Sequence, residues 1–119
     1  MSSSNIPYSV IDWKQIEKTV HPGEKGSAFW QTIQHPGLRI RIVEYTPGYF
    51  ADHWCTKGHF VYCLEGEFTS ELQTGETFTL SKGMSYLVSD ELSTHRSNTK
   101  TGVKLLMVDG DFLKLSELM

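Results

Sequence analysis

The hydrophobic positions of this chain fall in short segments separated by turn-forming residues, and no long stretch repeats apolar residues at helical spacing. This pattern predicts an all-β domain, with a further extended stretch between Gly48 and Cys55. The predicted strands are Ser27–Gln34, Leu38–Thr46, His59–Glu65, Glu67–Leu72, Thr77–Leu80, Met84–Val88, His95–Asn98 and Val103–Val108. Eight or nine strands at such regular spacing are typical of a sandwich or barrel.

Two of these strands carry informative patterns. His59–Glu65 is apolar on both faces, which predicts a central strand. Leu38–Thr46 alternates, so one of its two faces should be polar or partly hydrated. One face presents Leu38, Ile40 and Ile42, and the other presents Arg39, Arg41, Val43 and Tyr45.

The two ends of the chain are less regular, and 119 residues suffice for one domain only. The first twenty or so residues fit either a short helix or an extended arm. Phe112, Leu115 and Leu118 recur at roughly helical intervals near the other end. We therefore expect an N-terminal arm over residues 1–22, a barrel domain over 23–110, and a tail over 111–119 that packs on the barrel.

Composition and charge narrow the class of protein. A net charge of -3 argues against a basic nucleic-acid-binding surface, so no nucleic-acid partner is expected. No apolar run approaches the ~20 residues of a membrane span, and the Ser-rich start differs from a secretion signal. These features predict a cytoplasmic protein that does not bind membranes. Its two cysteines, Cys55 and Cys63, are expected as free thiols.

The stretch from Gly48 to Gly66 concentrates histidine and cysteine. His53 and Cys55 are two residues apart, so an extended backbone would turn both side chains to one face, and the turn at 57–58 could bring His59 alongside. His95, at the start of a later strand, could add another nitrogen if the sheet closes on itself. Imidazole and thiolate are the usual ligands of zinc, and imidazole also suits iron and nickel. The alternative for each residue alone is an ordinary packed side chain.

These residues resemble motifs of the cupin superfamily, over about residues 23–109. Pro47-Gly48, His53 and Leu64-Glu65-Gly66 match the first cupin motif, with Cys55 in place of its second histidine and His59 in place of its glutamate. His95 and Asn98 match the second motif. The run Asp52-His53-Trp54-Cys55, with Gly83-Met84-Ser85-Tyr86 and His95-Arg96-Ser97, is similar to the single-domain family named for its Asp-His-Cys-Trp motif.

The resemblance implies a jelly-roll barrel, the cupin double-stranded β-helix of two antiparallel sheets. It also implies a divalent metal held inside the barrel by His53, His59 and His95, with Cys55 as a further candidate ligand. Neutral nitrogen donors and a nearby thiol disfavour hard ions, so Zn²⁺ or Fe²⁺ is expected before Ni²⁺ or Mn²⁺.

Further residues are candidates for a small-molecule pocket. Arg41, Arg39 and Arg96 could hold a carboxylate or phosphate by bidentate contacts. Aromatic residues could wall the barrel mouth: Tyr45, Tyr49, Trp54 and Tyr86. Surface arginines and core aromatics are the alternative. No catalytic residue is assigned.

Three functions fit this pattern, since cupins host many chemistries. The first is a metal-dependent small-molecule enzyme, dioxygenase-like or isomerase-like, with oxidative chemistry preferred. The second is a non-catalytic module that binds or senses a small ligand or metal, and the third is a dimeric interaction domain without metal. Cys55 separates them, because a thiolate beside three histidines closes the site as in structural zinc, whereas three histidines alone leave a position open.

A homodimer is also expected. Small cupins commonly pair through sheet edges or exchanged N-terminal strands, and the arm of this chain is apolar. Its apolar residues are Ile6, Tyr8, Val10, Ile11 and Trp13.

Overall fold

The structure, a computed structural model, describes residues 5–114, and its regular elements are antiparallel strands and two short 3-10 turns. The strands are β1 (Thr19–Pro22), β2 (Ser27–His35), β3 (Leu38–Tyr45), β4 (His59–Leu72), β5 (Thr77–Ser81), β6 (Ser85–Val88), β7 (His95–Asn98) and β8 (Val103–Gly110). The 3-10 turns are Trp13–Gln15 and Asp111–Leu113. Within the described residues, no helix has the length and apolar character needed to cross a membrane.

The strands form two sheets that share β4. The larger sheet has the order β1-β2-β3-β8-β4-β6, and the smaller one has the order β5-β4-β7. Strand β4 passes from one sheet to the other at an irregularity between Cys63 and Glu65, followed by Gly66 with φ of 84°. This bend folds the two sheets over one another, so the all-β, two-sheet prediction is confirmed.

The hydrophobic core lies between the sheets. Strand β8 contributes alternate residues, ending with Asp109 at the last inward position before Gly110. The core side chains are Val43, Val61, Cys63, Phe68, Leu80, Val103, Leu105 and Met107. Because the row of apolar residues on β8 ends in a buried carboxylate, one end of the barrel interior is polar.

Most predicted strands are present, and three differences have physical causes. The two strands predicted on either side of Gly66 form one strand, since this glycine bends the chain without reversing it. Strand β1 went unrecognised because His21-Pro22 suggested a turn, whereas proline is tolerated on an edge strand such as this one. Residues 48–55 bend at 52–53 instead of forming a continuous strand, and they join the sheets through isolated bridges, such as Phe50 to Asn98 and Cys55 to His95, and through single backbone hydrogen bonds.

The two strand patterns have different outcomes. The prediction that His59–Glu65 is central is confirmed, because this part of β4 lies between β8 and β6. In β3 the face with Arg39 and Arg41 points into the barrel, and Arg41 is only 4% exposed. Of the C-terminal tail, Leu113 is buried and its carbonyl accepts a hydrogen bond from the Asp90 amide, while residues 115–119 lie outside the described range.

The bend in β4 predicts a strong effect at Gly66. In the variant Gly66→Ala, the new Cβ would collide with the Gly102 carbonyl oxygen in a backbone conformation that already disfavours a side chain. We expect a loss of about 2–4 kcal/mol in the free energy of unfolding, measured by denaturant titration. The control Gly75→Ala has a similar φ, 99°, with open space around it, and should lose about 1 kcal/mol. Equal losses would contradict the role of the close approach.

Candidate metal centre

Three potential ligands converge inside the barrel: Cys55, His59 and His95, whose donor atoms lie within 4.8 Å of one another. We call them the donor triad. His59 and His95 begin β4 and β7, and both are buried. Cys55 is fixed to His95 through the backbone, since its amide donates to the His95 carbonyl at 2.7 Å and its carbonyl accepts from the His95 amide at 3.0 Å. The triad is therefore attached to regular structure at each member.

The orientation of His95 is set by one hydrogen bond. Its Nδ1 lies 2.8 Å from the Ser93 carbonyl oxygen, and because a carbonyl can only accept, Nδ1 carries the proton. The other nitrogen, Nε2, then bears a lone pair. This buried atom has no hydrogen-bond partner within residues 5–114, a costly state unless something binds there.

His59 is oriented by a carboxylate. Its Nδ1 lies 3.2 Å from Oδ2 of Asp109, which is 2% exposed. Burial alone would raise the pKa of Asp109, but the hydrogen bond from His59 and the guanidinium groups of Arg39 and Arg41 hold it well below its usual range. The ionised carboxylate accepts the Nδ1 proton, so Nε2 of His59 is free to face Cys55.

The donor spacing fits a divalent metal of borderline softness. The distance from Cys55 Sγ to His59 Nε2 is 3.5 Å. Tetrahedral coordination with ordinary zinc–sulfur and zinc–nitrogen bonds separates these atoms by about 3.6 Å. Burial alone would raise the pKa of the Cys55 thiol, but the contact with His59 and the charge of Arg41 lower it on balance.

His53 lies outside the donor triad. Its side chain is 76% exposed and bonds to Asp52, with 2.6 Å between Nδ1 and Oδ1. The sequence argument required an extended backbone from His53 to Cys55, but the chain bends at residues 52–53. His53 instead lines the cavity beside the triad, so its role as a ligand stays a prediction.

A cavity of about 250 Å³ opens beside the triad. Its lining includes all four residues predicted to bind substrate, Arg41, Tyr45, Tyr86 and Arg96. Arg39 and Lys57 also contribute, whereas no acidic residue of the described chain lines the cavity. The space next to the donors is thus bordered by cations and aromatic rings.

The comparisons with known proteins agree with this architecture. No family model and no curated protein matches the chain, but many solved structures do. An RmlC-like cupin from Shewanella frigidimarina is 19% identical with a TM-score of 0.67, and 98% of each chain is covered. The chain has the cupin fold.

Two enzymes are among the other structures that this chain resembles. Ectoine synthase from P. lautus is 19% identical with a TM-score of 0.65, covering 92% of this chain and 80% of that one. The Fe(II) form of HppE is 14% identical with a TM-score of 0.69, and the match covers 90% of this chain and 63% of that one. Identities this low establish the fold alone, and the likeness to the Asp-His-Cys-Trp family stays a prediction.

Asp109 is a residue of the candidate site that sequence reasoning missed. It accepts bonds from Arg39 at 3.0 Å through both carboxylate oxygens, and from Arg41 at 3.1 Å, in addition to His59. The sequence did contain a signal for Asp109. This residue occupies the next inward position in the alternation of β8, where a charged side chain is unusual.

Removing the charge of Asp109 should destabilise the fold. In Asp109→Asn, Arg41 remains buried without its counter-charge, and we expect a loss of about 3–5 kcal/mol in denaturant titration. The control Glu44→Gln breaks surface pairs with Lys18 and Lys104 and should cost at most about 1 kcal/mol. Similar losses in the two variants would refute the special role of the buried carboxylate.

Proposed function

We propose that this cupin binds one divalent metal ion through Cys55, His59 and His95 and acts as a metal-dependent small-molecule enzyme. The observation that carries the proposal is the buried, unpartnered Nε2 of His95, next to a thiol and a second imidazole lone pair. Asp109 and the Ser93 carbonyl hold the two rings with these lone pairs directed at the triad.

The donor set favours particular metals. One thiolate with two imidazoles suits Zn²⁺ or Fe²⁺ better than Mn²⁺, and Ni²⁺ is the less favoured nitrogen-binding alternative. The thiolate requires Cys55 to be reduced, which agrees with a cytoplasmic location. The two cysteines of the chain are both free.

A catalytic role is supported by the open side of the triad. Three protein ligands leave a coordination position, as in catalytic rather than structural zinc sites, and the cavity of about 250 Å³ lies next to it. When bound, the metal would supply Lewis-acid or oxygen-activating chemistry. The Fe(II) form of HppE among the structural neighbours supports preferring the oxidative kind. The alternative function is a non-catalytic cupin that binds or senses a metal or small ligand.

We also propose that the protein is a homodimer formed through the outer face of the larger sheet. An unbroken apolar row crosses five strands on this face: Ile33, Ile40, Val108, Phe60 and Leu87. At the usual strand spacing the row spans about 20 Å. Leu87 and Tyr62 are exposed on this face, and Tyr8 and Val10 of the N-terminal arm are exposed as well. A second copy presents the same face, so the two apolar surfaces could cover each other about a two-fold axis.

Metal content tests the ligand assignment. Protein purified without added metal should contain one divalent ion per chain by elemental analysis, and the double variant Cys55→Ala/His95→Ala should contain none. His53→Ala and the matched cysteine control Cys63→Ala should retain it, because both residues lie outside the triad. Loss of the metal on replacement of His53 would instead make His53 a ligand and contradict the three-ligand assignment.

Sedimentation tests the dimer. The wild type should sediment as a dimer at micromolar concentration, and Leu87→Lys should give monomers because it places a charge in the apolar row. Leu92→Lys changes a loop leucine of similar exposure, 64% against 68%, and should leave the dimer intact. Deletion of residues 1–12 should also weaken the dimer. A monomeric wild type would refute the proposal.

A further inference from the structure

The cavity beside the donor triad carries more positive charge than its carboxylates balance. Arg39, Arg41, Lys57 and Arg96 line it. The carboxylates that pair with these cations lie outside the cavity lining. Glu71 pairs with Arg96 at 2.8 Å, and Asp90 pairs with Lys57 at 3.9 Å. Asp109 pairs with both Arg39 and Arg41. Two guanidinium groups thus share a single carboxylate, which leaves a net positive charge.

Arg41 is the most unusual of these cations. It is 4% exposed, and its guanidinium lies 4.4 Å from the centre of the Trp30 ring, which fixes its plane. Among the described residues, Asp109 is the one acceptor for its donors, and its buried Nε has none. A buried cation with unused donors is costly unless an anion accepts their hydrogen bonds and balances the charge.

Neutral donors and a second fixed cation surround the same space. Tyr45 and Tyr86 line the cavity, and each carries a phenol that can donate a hydrogen bond. The guanidinium carbon of Arg96 lies 4.2 Å from the centre of the Trp54 ring and 4.7 Å from the centre of the Phe50 ring. The arrangement is preorganised for an acceptor with negative charge.

We infer that this cavity binds a small organic carboxylate whose anionic group faces Arg41, with its remaining atoms against the aromatic wall beside the donor triad. The planar guanidinium matches the two oxygens of a carboxylate. The volume, about 250 Å³, lies below that of pockets for drug-sized ligands, so the ligand is small. The inference deepens the proposed function by naming the substrate class, and it rests on that function only for the contact with the metal.

The test compares anions with neutral molecules of the same shape. Benzoate and 3-phenylpropionate are titrated calorimetrically into zinc-loaded and metal-free protein. The corresponding amide of each acid serves as its neutral control, and inorganic phosphate is a separate probe. At least one carboxylate should bind about tenfold or more tightly than its amide, since a charge-assisted hydrogen bond is lost in the amide. Binding by the metal-free protein separates this result from a failure of the metal assignment.

Variants then locate the anion. Arg41→Met, and Arg96→Gln in case the first variant does not fold, should each weaken carboxylate binding about tenfold. Lys104→Met removes a surface cation outside the cavity and should leave binding unchanged. Equal binding of carboxylates and amides, no effect of either arginine variant, or tighter binding of phosphate than of both carboxylates would overturn the carboxylate assignment.

Discussion

The buried carboxylate of Asp109 is the interaction on which the polar end of the barrel depends. It bonds to Arg39, Arg41 and His59, and so links β3, β4 and β8 at one point. Without this negative charge, the larger sheet would enclose a nearly buried guanidinium with nothing to balance it. The same carboxylate fixes the proton on His59 Nδ1 and leaves Nε2 for the donor triad. Stability and chemistry are therefore coupled through one side chain.

This coupling explains why the site lies where β4 and β7 begin. Between the sheets, β4 supplies core residues such as Val61 and Phe68, and its first residue, His59, lies at the polar end of the interior beside Asp109. The short backbone pairing of Cys55 with His95 then places a thiol against the second imidazole. A polar pocket is tolerated here because nearly every buried group has a partner, and Nε2 of His95 is a notable exception.

Much of the fold follows from local sequence, whereas the ligand set depends on details that local sequence does not specify. Alternation and turn residues predicted most strands, because each depends on near neighbours. The expectation that His53 and Cys55 share one face rested on an extended backbone, whereas the chain bends at residues 52–53, a feature that local alternation does not predict. Asp109 acts through β3 and β4, 50 or more residues away in sequence, and its partners become visible only once the strands are paired.

X-ray absorption at the metal edge of the loaded protein tests the central claim most directly, because it reports the ligand atoms themselves. The account predicts one sulfur at about 2.3 Å and two imidazole nitrogens at about 2.0–2.1 Å, with any remaining ligand a light atom from solvent. The sulfur contribution should disappear in Cys55→Ser. A spectrum with only nitrogen and oxygen neighbours in the wild type would contradict the donor triad.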